Sequence, residues 1–429
     1  MSMARLSLSL LMIILFWTLS RCAELEQWNI LRPRPHPPRR INYTFYNVLD
    51  YGALSDGVSD DSEAFLAAWS AACESNYSVM VIPENGTYLL QPTVFPGPCG
   101  LGMKVQLDGV LVAPGFFDWN STNRRQWLRF QHLDGFTLEG TGTIDGQGES
   151  WWEQSCKRNH SNPCHPAPEA LTIKSCNSTT VRNLHFVNSQ QMHLVFDTGV
   201  NIRAIGLNIS APQKSPNTDG IHLHDVQSGF IQDCVIATGD DCISIQTGSS
   251  RIHIKNVYCG PGHGISIGSL GKDGSAGNVR AVVVDGAVLN GTTNGLRIKS
   301  WQGGRGKVYG VLYQNVRMIG VANPIIIDQY YCDSSVPCLN QTSGVEVSGI
   351  VYRNITGTSS TAVAVRFACS DSVSCHGIVL MDVNLTSVKA KSSVSSFCEN
   401  AQGIAVGENS PQGCFGDEED EEERASSSI

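Results

Sequence analysis

Asp240 and Asp241 stand side by side in this 429-residue chain, and turn chemistry has no use for the second of them. A turn needs one carboxylate, and another beside it adds repulsion. Counting 22 residues back from Asp241 reaches Asp219, and 22 forward reaches His263. If the chain winds with that period, the three stack on successive coils with Asp240 alongside. Two carboxylates roughly 5 Å apart at an effective dielectric near 20 repel by about 3 kcal/mol, around two pKa units. One of them then keeps its proton near neutrality beside another that is ionised. That is the pairing a general acid and a general base need, as in glycoside hydrolysis. Arg297 and Lys299 add two cations at alternate positions a coil or so further on. Asn294 and Asn323, at the equivalent places of later coils, read more simply as turn formers or an asparagine ladder. His222 and His224 read as strip residues, and the aspartates lack the Asp-X-Asp-X-Asp spacing of a calcium loop, so no metal is expected.

The elements that must carry these side chains are short strands. Charged residues make up 16% of the chain, and 42 glycines and 18 prolines punctuate it, which excludes a coiled coil or a disordered chain. Ser62–Cys73 has Phe65, Trp69 and Ala72 on one face with Leu66 and Cys73 beside them, and predicts one amphipathic helix. Beyond it the helical period disappears. Apolar-alternating runs recur instead, with starts at Ile221, Ile243, Ile265, Leu296 and Ile325. Their first and third residues are Ile or Leu and face a core, so His222, Ser244, Ser266, Arg297 and Ile326 at the second position face outward. A second short strand follows each. A period of 20 to 30 residues without helices predicts an all-β, right-handed parallel β-helix whose N-terminal end the early helix covers. A leucine-rich horseshoe lacks its asparagine-and-leucine consensus here, and a propeller needs about 40 residues per blade.

Both ends read differently from the middle. Residues 1–22 place Arg5 before an apolar run too short to span a bilayer comfortably, the pattern of a secretory signal peptide. Residues 23–41 include the Pro/Arg-rich stretch Arg32–Arg40 and read as a linker or pro-segment. The β-helix then occupies 42–416. Residues 417–429 form an acidic, disordered tail in which seven acids run unbroken from Asp417 to Glu423 and carry much of the formal charge of −9. The chain has 15 cysteines; losing Cys22 with the signal leaves an even number, suited to disulfides outside the cell. Cys332 with Cys338, Cys369 with Cys375, and Cys398 with Cys414 are close enough in sequence to pair. Sequons such as Asn42, Asn120, Asn208, Asn290 and Asn384 agree with a secreted glycoprotein. No stripe of basic and aromatic residues suggests nucleic acid, and no membrane partner is expected.

Four motifs, SPNTDG (215–220), GDDC (239–242), GHGISIGSLG (262–271) and RIKS (297–300), resemble in order and spacing the signatures of the polygalacturonases, glycoside hydrolase family 28. The likeness runs from about Phe45 to Cys414 and looks like a secreted plant member. It implies the same β-helix, no cofactor, and hydrolysis of α-1,4-linked galacturonan in pectin with inversion. By position it implies that Asp240 protonates the glycosidic oxygen, that Asp219 and Asp241 activate water, and that His263 supports the acid. Arg297 and Lys299 would hold galacturonate carboxylates, Tyr331 would contact substrate beside an unusual Tyr330, and Asn217 is a further binding candidate. The resemblance also pairs Cys242 with Cys259. Competing readings are a hydrolase of a related backbone, rhamnogalacturonan or xylogalacturonan, and a non-catalytic pectin-binding wall protein. A monomer in the cell wall is expected.

Overall fold

Alternating Ile or Leu with polar residues winds this chain into a parallel β-helix. The computed structural model describes residues 42–334 and 336–415; the expectations for residues 1–41 and 417–429 lie outside them. Among the described residues, 31 strands pair side by side, with every pairing parallel, in three ladders that each coil visits in turn. The ladder that matters for chemistry has the register read from the sequence. Ile221 lies beside Ile243, Ile243 beside Ile265, Ile265 beside Leu296, and Leu296 beside Ile325. A one-residue slip would turn every side chain to the wrong face. Ile221, Leu223, Ile243, Ile245, Ile265, Ile267, Leu296 and Ile298 are all buried in the continuous core, where each contributes about 1.5–3 kcal/mol relative to exposure.

The predicted helix forms over Ser62–Cys73, here α1. It sits at the open edge of the strand Thr93–Pro96, with the Trp69 ring edge-on to Phe95 and Phe130, and Trp69 Nε1 donating to Pro96 O at 3.0 Å. Leu66, expected beside the apolar face, is exposed instead. A second helix, α2 (Glu149–Glu153), was not expected; five residues are too few to show a helical period, but they bury Trp151 and Trp152.

The polar positions also do structural work. Asn323 Nδ2 donates to Asn294 Oδ1 at 3.2 Å, so these two form the asparagine ladder expected of them. Another ladder climbs a turn where Asn315 and Asn354 take left-handed backbone (φ 54° and 51°) and Asn354 Nδ2 donates to Asn315 Oδ1 at 2.8 Å.

Among the described residues, six disulfides close loops along the coil. They include Cys332–Cys338, Cys369–Cys375, Cys398–Cys414 and Cys242–Cys259, with Cys73–Cys99 and Cys156–Cys164 completing the set. The even cysteine count overstates the pairing, because Cys176 and Cys234 are buried free thiols. They pack as small apolar side chains, and burial pushes the Cys234 thiol up to about 11. No helix among the described residues is long and apolar enough to cross a membrane.

Candidate active site

The candidate side chains cluster where the turn enters the first ladder. Gly220 N donates to Asp241 O, and Cys242 N donates to Gly264 O, both at 2.9 Å. These bonds hold the residues just before each strand one above another. Asp219, Asp240, Asp241 and His263 therefore share one edge of the ladder, while Arg297 and Lys299 rise from the middle of a later rung.

Side-chain contacts refine the simple stack. His263 does not meet Asp241; its Nδ1 donates to Asp240 Oδ1 at 3.0 Å. The same oxygen accepts from the Asp241 amide at 2.8 Å, and Asn217 Nδ2 reaches Asp240 Oδ2 at 3.4 Å. Asn217 takes φ 56° to do this, a left-handed turn that asparagine tolerates better than most residues. Asp241 is enclosed, being 1% exposed. Arg297 Nη2 and Ser266 Oγ donate to its Oδ1 at 2.5 and 2.8 Å, and Lys299 Nζ donates to Oδ2 at 2.9 Å. Arg297 Nε also donates to Ser266 Oγ at 3.0 Å. Asp219 accepts from His222 Nδ1 at 3.1 Å.

The outward strip is thus less wet than strand alternation implies. Arg297 is 9% exposed and Lys299 7%, because they lie over Asp241 instead of extending into water. The ammonium of Lys299 has three protons and gives one to Asp241, so it retains two for a further acceptor. Burial, then the charge of Asp240, raises the Asp219 carboxyl to about 6. Asp240 is also buried, yet the hydrogen bond and charge of His263 outweigh burial and hold it down at about 2. His263 is raised in turn, chiefly by its hydrogen bond to Asp240. Asp219 is therefore the carboxyl of the group that holds its proton longest as pH rises, through burial first and the crowding by Asp240 second.

Beyond the acids, Tyr331 and Tyr330 separate cleanly. Tyr330 OH donates to Cys369 O at 3.2 Å and is part of the wall. Tyr331 lies with its ring centroid 5.2 Å from Lys299 Nζ and edge-on to Trp301 at 5.5 Å. Lys272 Nζ stands 5.3 Å from the Trp301 ring. Trp301, Lys272 and the bridging role of Ser266 had escaped sequence reasoning, although Trp301 directly follows RIKS and Ser266 occupies an outward position of an aligned strand. On the other side, Asn217 borders a pocket lined by Trp151, Trp152 and Gln190. Gln190 is 1% exposed and neither amide atom has a partner among the described residues.

Donor atoms of Asp240, Asp241 and His263 lie within 4.8 Å of one another, close enough to consider a metal. Two protein cations already rest on Asp241, and a divalent ion placed among the three would face both. The charge pattern suits proton transfer better.

A family model described as Glycosyl hydrolases family 28 matches residues 73–409. This chain belongs to that family. Among plant members, a polygalacturonase of Persea americana is 48% identical over 362 residues, covering 84% of this chain and 78% of that one. A probable polygalacturonase of Arabidopsis thaliana is 45% identical over 387 residues, covering 90% and 86%. Solved structures agree on the fold. An endo-xylogalacturonan hydrolase from Aspergillus tubingensis superposes with TM-score 0.74 at 23% identity, over 86% of this chain and all of that one. A polygalacturonase from Erwinia carotovora gives 0.69 at 24%, with the same coverage. The family's β-helix is therefore the architecture built here.

Proposed function

We propose that this family 28 hydrolase cleaves the α-1,4-galacturonosidic bonds of pectic polygalacturonan through the cluster around Asp240. The chain is a pectin-hydrolysing enzyme of polygalacturonase type, by its family and by plant relatives that are 43–48% identical. Neither a rhamnogalacturonan or xylogalacturonan hydrolase nor a non-catalytic wall protein draws support from these observations. The observation that carries the mechanism is a hydrogen-bonded Asp240–His263 pair beside an Asp241 anchored by two buried cations.

At acidic pH the raised imidazole carries a proton on the bond to Asp240. Passing that proton across the bond makes Asp240 the acid that protonates the departing oxygen, and His263 holds its supply. Water attacks the anomeric carbon from the opposite side and gives its proton to Asp219, which must be ionised for this step, while Asp241 orients the water, with inversion. Arg297 and Lys299 share their remaining protons between Asp241 and the substrate's carboxylates, which suits paired cations facing a polyanion. Tyr331 and Asn217 border the sugar on either side. A second assignment is favoured by the proton on Asp219: there Asp219 is the acid and Asp240 the base. An oligogalacturonide carrying an aryl group that leaves readily separates them, because it restores the rate of whichever variant lacks the acid, D240N in the first case and D219N in the second.

The activity is tested by incubating the chain with polygalacturonate. Saturated reducing ends support hydrolysis, and the first anomer seen by proton magnetic resonance reports inversion or retention. Unsaturated products absorbing in the ultraviolet would instead indicate a lyase. As part of the same reading, residues 1–22 are a leader, 23–41 a linker or pro-segment, 42–416 the catalytic domain and 417–429 an acidic tail. The enzyme works as a secreted monomer in the cell wall; six disulfides fit that compartment.

A further inference from the structure

Two arms of the chain leave the catalytic ladder on opposite edges. Residues 146–168 precede the rung Glu169–Asn177, so this arm emerges on the edge where Asp219, Asp240, Asp241 and His263 precede their own rungs. Asp333 follows the rung Asn323–Asp328 and emerges on the other edge, two residues after Tyr331. In a ladder of parallel strands, what comes before a strand and what comes after it are on opposite sides. The two rungs are also far apart along the axis. Leu171 pairs with Leu194, and the register continues through Ile221, Ile243, Ile265 and Leu296 to Ile325. Six steps of about 4.8 Å make roughly 29 Å.

The arms nevertheless touch. Lys157 Nζ lies 2.8 Å from Asp333 Oδ2, across 176 positions of sequence. Gln154, Ser155 and His165 of the first arm line a pocket with Asn217, which places that arm over the acid's edge. Tyr331, at the root of the second, lies against Lys299. Both arms are therefore on the outer face of the ladder, and their contact crosses the catalytic rungs. Each ion sits beside a half-cystine: Lys157 follows Cys156 of the Cys156–Cys164 bridge, and Asp333 follows Cys332 of the Cys332–Cys338 bridge. Short covalent loops limit how far either charge can wander.

We propose that Lys157 and Asp333 form a tie across the catalytic trough that retains a polygalacturonate chain between cuts and so sets how many bonds are broken per encounter. The inference rests on the trough being the site of pectin hydrolysis. The tie can open, because its two side chains are 44% and 50% exposed, and an exposed ion pair is weak. A polymer can thus be laid in from the side, while its sideways escape is slowed. Lys157 and Arg158 stand in succession on the first arm, a charge that favours a polyanion beneath.

The test compares the unmodified chain with K157A, D333A and the charge-swapped K157D/D333K on polygalacturonate at low conversion. Its readout is viscosity lost per reducing end released, which rises as cuts become more scattered. Each single variant is expected to raise that ratio by about 1.4- to fivefold, the range of an exposed ion pair. The swapped pair is expected to return it to the unmodified value, with native circular dichroism throughout. Single variants that keep the unmodified ratio, or a swap that fails to recover it, would overturn the tie while leaving the hydrolase reading intact. An unmodified chain that releases no reducing ends would overturn both.

Discussion

Replacing Asp219 with Asn keeps the shape of the side chain and removes a charge that the fold holds at a cost. Asp219 is 6% exposed. Burial, then the neighbouring Asp240, lifts its pKa from the ordinary 3.8 to about 6. A carboxyl whose pKa is higher in the folded chain binds more protons there than when unfolded. Stability therefore falls as pH rises from the unfolded value through the folded one, and stays lower above it. Two units correspond to roughly 3 kcal/mol at neutral pH. Asparagine has no such penalty, and its Oδ1 can still accept from His222. For a chain of this length, 1 kcal/mol moves the melting temperature by roughly 1–2 °C. D219N is thus expected to melt about 3–6 °C above the unmodified chain near pH 7, and within about 1 °C of it near pH 3.5. Release of reducing ends should fall by about 10²-fold or more. Differential scanning calorimetry at the two pH values, run beside a reducing-end assay, measures both effects. A variant that melts no higher than the unmodified chain near pH 7 would refute the claim that Asp219 is held against its charge.

Two further substitutions probe the rest of the cluster. H263A removes the hydrogen bond that holds Asp240 at about 2, so Asp240 should titrate at or above the ordinary carboxylate range. The alkaline limb of its pH–rate profile should then fall at lower pH than in the unmodified chain, where the raised His263 keeps the proton longer, and kcat should drop by about 10- to 100-fold. K299M leaves Asp241 with Arg297 and Ser266 as partners. Urea unfolding should show a loss of about 1–3 kcal/mol, less than the full cost of stranding a buried charge because Arg297 remains, and KM for polygalacturonate should rise about 10- to 100-fold.

The register of this fold is legible because side-chain alternation is unforgiving. The 22-residue steps from Asp219 to Asp241 to His263, with Ile or Leu at each core position between, leave one alignment that buries the apolar residues. Cys242–Cys259 followed from the family resemblance, and the asparagine ladder from residue type. Apart from the support of Asp240 by His263, which the family resemblance implied, what pairs with what inside the cluster was not legible from residue spacing. Strand spacing places backbones to within a rung, whereas the choice of Asp240 over Asp241 as the partner of His263 depends on side-chain rotamers. Burial of Arg297 and Lys299 likewise arises from their reach back to Asp241, across 56 and 58 residues. Alternation cannot show this. The proton on Asp219 follows from depth of burial, which no pattern of residue types encodes. Cysteine counting failed for Cys176 and Cys234 because inward-facing positions of a coil accept a thiol as readily as an alanine. Lys157 and Asp333 meet through arms whose paths depend on loop shape alone.

The proposed chemistry centres on Asp240, where the hydrogen bonds of His263, Asn217 and the Asp241 amide converge. The direct measurement is the rate at which D240N releases reducing ends from polygalacturonate, with circular dichroism taken on the same sample. A native spectrum and a rate lower by about 10²–10⁴-fold are expected. A native spectrum with an unchanged rate would contradict the proposed mechanism.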